Sequence, residues 1–324
     1  MKKEDRGHII RYGSDEVMNL LAEKHGSRFV EYREMWDDAA KKHIVPDYPL
    51  YIALGINSDC NLRCKMCARA YDNSMNTKHQ NISMELIDKI VKQCKDFHCP
   101  SVLIGQESEC MLHPEFEEIV RRVKSIEPVD YFVISNGTLL NERISNLLIK
   151  EDIDRLQISI DASTSDTYKR IRGGNLDRLE FNINRFLELR ECARQKTPIL
   201  RVSFCKQLDN QGEEHSFLDK WSEKADIVDF QDYIDLSHVM DLKDMPYKEY
   251  FCPDPYQRLV IDFLGNIYAC CCIGYNKYFK LGNLKSMTLL EAWHCDTIKD
   301  LRKSFATQNL KSACLNCRVN RAHE

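Results

Sequence analysis

The segment that decides how this chain is interpreted is Cys60-Asn61-Leu62-Arg63-Cys64-Lys65-Met66-Cys67. Its cysteines have the spacing C-x3-C-x2-C, and the segment directly follows an apolar, strand-like run at 50–56. A loop of this length can place three thiolates around one face of a cuboidal 4Fe-4S cluster, which usually takes four. One iron would then stay open to a small molecule. A zinc knot or a chance group of cysteines is the alternative interpretation of the spacing.

Length and composition restrict the class of protein. The chain has 324 residues, of which 43% are apolar and 30% charged, and its net charge of −4 does not favour a nucleic-acid binder. No run of residues is long and apolar enough for a membrane span, and the first residues lead into no apolar signal core. We therefore expect a soluble, cytoplasmic protein that binds neither nucleic acid nor membranes.

The cysteine content indicates metal or redox chemistry. Fifteen cysteines are present, and without signs of export they favour metal ligation over disulfides. Three lie in the opening loop, and a second group lies near the C-terminus: Cys252, Cys270, Cys271, Cys272, Cys295, Cys314 and Cys317.

Three regions follow from the hydrophobic pattern. Residues 1–49 are predicted to form a helical leader, and residues 241–324 a small cysteine-rich domain. Between them, at 50–240, strand-like and amphipathic helical segments alternate, which predicts a parallel sheet or barrel. The predicted strands are 51–56, 102–104, 131–135, 155–160, 200–205 and 227–232. The predicted helices between them are 84–94, 114–123, 141–149, 176–194 and 213–224, with Ser83 as an N-cap and Pro114 in a first turn.

The cysteine loop after a strand resembles the radical S-adenosylmethionine (SAM) superfamily. This resemblance implies a partial (β/α)6 barrel in which Cys60, Cys64 and Cys67 hold a 4Fe-4S cluster whose fourth iron binds SAM. It also implies that Met66 lies in the cofactor site. An electron donor of the flavodoxin or ferredoxin type is the implied protein partner.

Two further segments resemble motifs of the superfamily. Residues 105–114 are similar to its G-G-E-P segment, which approaches the SAM amino group; Glu109 takes the Glu position when the following L-H-P is aligned, and Glu107 is its rival. Residues 135–140 resemble its T-N-G-T segment, which implies that Asn136 faces the SAM ribose. Asn-Gly is equally an ordinary turn signal.

A third resemblance concerns residues 158–173, which are similar to an S-x-D-G…Y-x-x-I-R-G block. It implies that Ser159 and Arg172 bind the SAM carboxylate and that Asp161 faces the active site. A guanidinium suits a carboxylate because the two pair in a fork. Cys205, near a predicted strand end, is a candidate catalytic thiol, although most cysteines are buried and inert.

The C-terminal region resembles the twitch/SPASM module. A predicted hairpin at 258–272 lies between Cys252-Pro253 and the pair Cys314-x2-Cys317. The resemblance implies one fully ligated auxiliary 4Fe-4S cluster on Cys252, Cys270, Cys314 and Cys317. Cys272 is the alternative to Cys270, because both point to one face of a strand. Structural zinc is the alternative metal.

The function implied by these resemblances is reductive cleavage of SAM to a 5′-deoxyadenosyl radical that abstracts hydrogen from a substrate. A fully ligated second cluster suits net oxidation, or an epimerisation in which a thiol returns hydrogen. The single-cluster module is similar to that of an aminocyclitol dehydrogenase, so we expect a carbohydrate or aminocyclitol substrate. The alternative is a maturase that epimerises or crosslinks a ribosomal peptide. A two-cluster electron carrier and a zinc-stabilised binding module are further possibilities from other classes.

Overall fold

The computed structural model describes residues 1–5, 9–71, 79–233, 252–271 and 279–316. Within these ranges the strands form a single sheet with the order β1-β2-β8-β7-β6-β5-β4-β3-β9-β10-β11. Its strands are β1 (Lys3–Asp5), β2 (Ile9–Tyr12), β3 (Tyr51–Leu54), β4 (Ser101–Ile104), β5 (Asp130–Ser135), β6 (Arg155–Ser159), β7 (Ile199–Lys206), β8 (Ile227–Asp232), β9 (Arg258–Ile261), β10 (Asn266–Tyr268) and β11 (Lys280–Asn283).

The helices of the described ranges mostly follow the strands. They are α1 (Ser14–His25), α2 (Ser27–Lys42), α3 (Ala68–Tyr71), α4 (Met84–Asp96), α5 (Phe116–Lys124), α6 (Glu142–Lys150), α7 (Ser165–Arg172), α8 (Leu176–Cys192), α9 (Glu214–Trp221), α10 (Asp254–Gln257), α11 (Leu289–Trp293), α12 (Asp296–Ala306) and α13 (Ser312–Asn316).

The central part of the sheet is the predicted partial (β/α)6 barrel. Strands β3 to β8 are all parallel and lie in chain order, with helices packed on their outer face. Their apolar, outward-facing residues form one continuous core with the helices. The sheet is open, so the polar loops after the strands gather at one edge, where parallel sheets bind their ligands.

Both edges of the barrel are extended by strands from the chain ends. The region predicted to be a helical leader contains the helices α1 and α2, and in addition β1 and β2 form an antiparallel pair that extends the sheet beside β8. On the other edge β9 lies parallel to β3, and β10 and β11 continue antiparallel. The predicted C-terminal hairpin is thus part of the same sheet.

One predicted helix start differs from the structure. Helix α5 begins at Phe116, two residues after Pro114, and Glu115 is its N-cap residue. Helix α1 begins at Ser14 itself, with Gly13 before it in a left-handed conformation. Ser83 does cap α4, since its side chain accepts a hydrogen bond from the Leu86 amide at 3.3 Å.

Candidate active site

The cysteine loop lies at the C-terminal edge of β3. Its start is fixed by Gly55, whose amide donates to the carbonyl of Ile261 at 2.8 Å, and its far end by Lys65, whose amide donates to the carbonyl of Ile171 at 2.9 Å. The thiols of Cys60, Cys64 and Cys67 are partly exposed. The loop therefore connects the first barrel strand with the C-terminal end of α7.

Two donors from other loops point at these thiols. The Asn136 side-chain amide lies 3.8 Å from Cys60 Sγ, and Arg172 Nη1 lies 3.7 Å from Cys64 Sγ. Burial raises the pKa of Cys64 to about 11, and the Arg172 guanidinium opposes that rise. N–H donors and a positive charge beside sulfur stabilise thiolates, which is the state that ligates metal.

Arg172 is held in place by Asp161. Arg172 Nε donates to Asp161 Oδ2 at 2.8 Å, and Arg172 Nη2 contacts the same oxygen. The other oxygen, Asp161 Oδ1, accepts from the Cys205 amide at 2.8 Å. Burial alone would lower the pKa of Arg172, yet the adjacent Asp161 carboxylate raises it overall, so the guanidinium stays charged.

Cys205 lies next to this pair. Burial raises the pKa of its thiol to about 12, and the Asp161 carboxylate adds to the rise. A protonated thiol carries the hydrogen atom that an epimerisation would return to a substrate. Ser159 is the last residue of β6 and lies opposite Ser203 in the register of β6 and β7.

The two rival glutamates differ in their surroundings. Glu109 is buried, and its carboxylate accepts from Ser135 Oγ at 2.8 Å, from the Asn136 amide at 2.7 Å and from the Met111 amide at 3.2 Å. Glu107 is half-buried and has a positive φ of 77°. The acceptor capacity of Glu109 is thus largely used within the protein.

Glycine is required at the point where this segment leaves β4. Gly105 has a φ of 112°, and a Cβ atom there would lie 2.1 Å from the carbonyl oxygen of Ile134. The close approach to β5 brings the 106–109 segment over the edge of the sheet. This is the physical reason for the glycine in the motif.

Asn136 joins the loop to the segment after β5. Its Nδ2 donates to Asn61 Oδ1 at 2.8 Å, and its Oδ1 accepts from the Thr138 amide at 2.9 Å. Met66 is half-buried in the same loop. Asn136 is therefore a structural link of the cysteine loop as well as a candidate ribose ligand.

Tyr168 is a site residue that the sequence reasoning did not single out. It is fully buried, and within the described residues its hydroxyl has no hydrogen-bond partner. Burial raises the pKa of this hydroxyl to about 12; the Arg172 guanidinium opposes the rise and Cys64 adds to it. The available signal was its place in the Y-x-x-I-R-G block.

Among the described C-terminal cysteines, Cys252, Cys270 and Cys271 lie close together. Burial raises the pKa of Cys252 well above its usual value, and Asp254, Cys270 and Cys271 add to the rise because they lie nearby. Cys314 is buried in α13. Cys317 and Cys272 lie outside the described residues, so the choice between Cys270 and Cys272 stays open.

Cys271 and Cys270 pack against different apolar clusters. Cys270 packs against the main core, whereas Cys271 packs against an interior cluster of Tyr51, Ala53, Leu103 and Val260. Gln106 Nε2 donates to the Cys271 carbonyl at 3.0 Å.

The residues present fit the implied cofactors by their chemistry. The loop offers three sulfur donors with an amide and a guanidinium beside them, and an unsatisfied buried hydroxyl lies close by. The donors of the C-terminal group are also sulfur. Within the described ranges, no three His, Cys, Asp or Glu side chains converge as they would on a single metal ion.

A partial parallel barrel with a three-cysteine loop at its ligand edge defines an enzyme class that uses SAM and an iron–sulfur cluster. The Radical SAM superfamily model matches residues 56–193, and the model of an iron–sulfur cluster-binding domain, SPASM, matches residues 252–318. The chain belongs to the radical SAM superfamily and carries a C-terminal SPASM-type domain. SAM-binding and auxiliary 4Fe-4S clusters follow from these two families.

The curated relatives match only part of the chain. A probable GTP 3′,8-cyclase of Methanococcus maripaludis is 30% identical over 138 residues, which are 42% of this chain and 45% of the relative. The GTP 3′,8-cyclase of Lactiplantibacillus plantarum is 29% identical over 130 residues, 40% of this chain and 39% of the relative. The matched part thus spans less than half the length of these relatives.

Solved structures with the same fold cover most of the chain. The structure of native anSMEcpe with bound AdoMet matches with a TM-score of 0.61 at 14% sequence identity, and the match covers 85% of this chain and 91% of anSMEcpe. The structure of Streptococcus suis SuiB bound to precursor peptide SuiA matches with a TM-score of 0.59 at 16% sequence identity, and the match covers 91% of this chain and 75% of SuiB. The structure of BtrN in complex with AdoMet and 2-DOIA matches with a TM-score of 0.54 at 16% sequence identity, and the match covers 85% of this chain and 94% of BtrN.

In the described part of this chain, no helix is both long and apolar enough to cross a membrane.

Proposed function

We propose that this chain dehydrogenates or epimerises a small polar molecule of the carbohydrate or aminocyclitol type. The bound cluster and SAM would supply a 5′-deoxyadenosyl radical that abstracts a substrate hydrogen. The residues of the chain bind and orient the two molecules.

The observation that carries this proposal is a polar inner wall on β6, β7 and β8. Phe204 packs against Phe217 of α9 with ring centroids 4.9 Å apart, so it faces outward. Since side chains alternate along a strand, Arg201, Ser203 and Cys205 face inward. Within this wall, Asp229 already accepts from Arg11, Arg201 and Gln231. The inward-facing side chains that the wall offers to substrate hydroxyls are therefore chiefly Gln157, Ser159 and Ser203.

The opposite wall of the barrel is apolar, and this difference between the two walls supports the same class of substrate. On β3, β4 and β9 the inward-facing residues are Tyr51, Ala53, Leu103 and Val260, which form a closed apolar cluster. A molecule between the walls would meet hydrogen-bonding groups on one side only. A compact, polar substrate with one less polar face fits this division.

At the cofactor end, we assign the SAM carboxylate to Arg172 and Ser159, and the SAM ribose to Asn136. The fork of Arg172 is aligned by Asp161, which leaves Nη1 directed at the cysteine loop. For the SAM amino group we favour Glu107 over Glu109, because three protein donors already occupy the Glu109 carboxylate.

At the C-terminal end, Cys252, Cys270, Cys314 and Cys317 are the proposed auxiliary ligands. A complete set of four protein ligands leaves no iron open to substrate, which supports net oxidation. Cys205 is the proposed hydrogen donor if the outcome is epimerisation, because its thiol is protonated and lies beside Asp161.

The alternative substrate is a ribosomal peptide. The structures of SuiB with a precursor peptide and of anSMEcpe with a Cp18Cys peptide favour it. The structure of BtrN with 2-DOIA favours a small molecule.

The experiment that decides between these substrates is a screen of the reconstituted enzyme for 5′-deoxyadenosine formation with sugars, aminocyclitols and peptides. Stimulation by sugars, with deuterium transfer from labelled substrate, is expected; stimulation by peptides alone would overturn the proposal.

A further inference from the structure

Asp161 has a backbone conformation that few residues other than glycine adopt. Its φ is 65°, in the left-handed region, and its side chain is buried between the Arg172 guanidinium and the Cys205 amide. Such a conformation persists at a functional position only where the surrounding contacts hold it. The contacts that hold the Asp161 backbone therefore also decide where its carboxylate points.

Asn210 supplies these contacts from the segment after β7. It is only 1% exposed, and its Nδ2 donates to the Asp161 carbonyl at 2.9 Å and to the Cys205 carbonyl at 2.8 Å. Its Oδ1 accepts from the Gln207 amide at 2.8 Å. Both donor hydrogens of the side-chain amide are thus engaged, and this one side chain joins the turn after β6 to the end of β7.

The same segment holds the turn after β6 at a second point. Glu213 Oε2 accepts from the Ser163 amide at 2.6 Å, and Ser163 Oγ donates to the Glu213 carbonyl at 3.0 Å. Glu213 Oε1 accepts from Thr167 Oγ1 at 2.5 Å, in the first turn of α7. Because a carboxylate is favoured at the start of a helix, Glu213 fixes the end of α7 that is opposite to Arg172.

Asn210 and Glu213 differ in what they hold. Glu213 holds the start of α7, whereas Asn210 bonds the residue whose carboxylate accepts from Arg172 Nε. Removal of the Asn210 amide would free the Asp161 peptide, so that the Asp161 carboxylate would no longer have one fixed direction. Arg172 would then lose the contact that keeps its Nη1 3.7 Å from Cys64 Sγ.

We propose that Asn210 is a positioning residue for the SAM carboxylate and acts through Asp161 on Arg172. The inference rests on the proposed function in one respect, the assignment of the SAM carboxylate to Arg172. With Asn210 in place, Asp161 keeps the guanidinium in one orientation, so binding costs little side-chain entropy. Without the Asn210 amide, part of the binding free energy is used to order Arg172, and the affinity for a ligand with a carboxylate falls.

The test compares the affinity of the reconstituted holoenzyme for SAM and for decarboxylated SAM, which lacks the carboxylate, by isothermal titration. We expect Asn210→Ala to weaken SAM binding about fivefold, the effect of one side chain that must be ordered on binding. The affinity for decarboxylated SAM should stay within about twofold of wild type, because this ligand does not use the Arg172 fork. A general loss of structure would weaken the binding of both ligands and leave the ratio of the two affinities unchanged.

Asn182→Ala is the matched control. Asn182 is also buried, and its Nδ2 donates to two loop carbonyls, those of Gly137 at 3.0 Å and Thr138 at 3.1 Å. These carbonyls belong to the turn after β5, on the proposed ribose side of SAM, so any loss of affinity should be the same for both ligands. The ratio of the two affinities in Asn182→Ala should therefore equal that of wild type.

The two ligands separate the possible failures. If wild type prefers SAM, the inference is overturned by equal losses for both ligands in Asn210→Ala, by no loss for either, or by the same change of ratio in Asn182→Ala. A wild type that binds the two ligands equally would instead contradict the assignment of the carboxylate to Arg172, and the inference would fall with it. If Asn210→Ala does not fold, Asn210→Ser decides by the same ratio, because its hydroxyl can donate to only one of the two carbonyls.

Discussion

Arg172 shows how a single side chain can be prepared for its ligand by its neighbours. Asp161 accepts from its Nε and Nη2, which fixes the plane of the guanidinium and leaves Nη1 near Cys64. Asp161 is itself held by the Cys205 amide. The entropic cost of ordering this long side chain is thus offset by contacts within the protein.

Replacing Arg172 by lysine tests this preparation while keeping the buried charge opposite Asp161. A lysine cannot form a planar fork, so we expect about tenfold weaker SAM binding to the reconstituted protein and a retained fold. Isothermal titration with SAM measures the affinity, and circular dichroism checks the fold. Arg185→Lys, on the exposed face of α8, is the matched control. SAM affinity equal to wild type in Arg172→Lys would remove this residue from the site.

Tyr168 gives a second prediction at the same scale. The Tyr168 hydroxyl is buried without a hydrogen-bond partner among the described residues, so Tyr168→Phe should raise the free energy of unfolding of protein prepared without cluster and SAM by about 1 kcal/mol. Tyr131→Phe is the control, because the equally buried Tyr131 hydroxyl donates to the Val120 carbonyl at 3.1 Å and its loss should destabilise. Urea denaturation measures both, and reconstitution with cluster and SAM should abolish the gain for Tyr168→Phe. Equal destabilisation of the two variants without cofactors would contradict this account.

Among the elements, α1 is anchored to the barrel through one buried carboxylate. Asp154 precedes β6, and its Oδ1 lies 2.6 Å from His25 Nε2 and 2.8 Å from Lys24 Nζ. Its Oδ2 accepts from the Tyr131 amide at 2.8 Å. Burial pushes the pKa of Asp154 upward, but the His25 hydrogen bond and the Lys24 charge outweigh it, so the pKa is lowered overall.

Asp154→Asn should therefore lower the free energy of unfolding by about 3 kcal/mol at pH 7. A carboxyl with a lowered folded pKa stabilises above its unfolded pKa of about 3.9 and loses that contribution as pH falls through the folded value. The difference from wild type should stay constant from pH 7 to 5 and narrow below about pH 4. Asp152→Asn, whose partner is also Lys24 but whose carboxylate is 42% exposed, should cost less than about 1 kcal/mol. A difference in unfolding free energy that narrows between pH 5 and 8 instead would contradict the assignment of this stability to the Asp154 carboxylate.

The elements also show which features of the fold a sequence reveals. The six barrel strands could be predicted because they are short apolar runs separated by amphipathic helices, which are local patterns. The pairing of β2 with β8 joins residues more than 200 positions apart, so no local pattern indicates it. The start of α5 was misplaced because Pro114 suits a first turn but the chain makes a separate turn there.

At the site, too, features that follow from local motifs could be predicted, and features that depend on tertiary contacts could not. Arg172, Asp161 and the cysteine loop could be placed from their motifs, and the structure brings them within contact. The engagement of Glu109 by three donors is a tertiary property, so sequence alone could not separate it from Glu107. Tyr168 was overlooked because an unsatisfied hydroxyl is recognisable only once its surroundings are known.

At the scale of the whole molecule, one sheet joins the cysteine loop to the C-terminal cysteines. β3 carries the loop at its end, and β9, which follows Cys252, pairs with β3 along four residues. The division at residues 49 and 240 stays a prediction, since the sheet continues past both positions and 234–251 lie outside the described residues. The cysteine loop and Cys252 are thus both connected to neighbouring strands of one sheet.

The most direct test of this arrangement is the iron and sulfide content after anaerobic reconstitution. Wild type is compared with a variant in which Cys60, Cys64 and Cys67 are all alanine. The account predicts about eight irons per chain in wild type and about four in the variant, because the C-terminal cluster is held independently. About four irons falling to none would contradict it, since the C-terminal cysteines would then hold no iron–sulfur cluster.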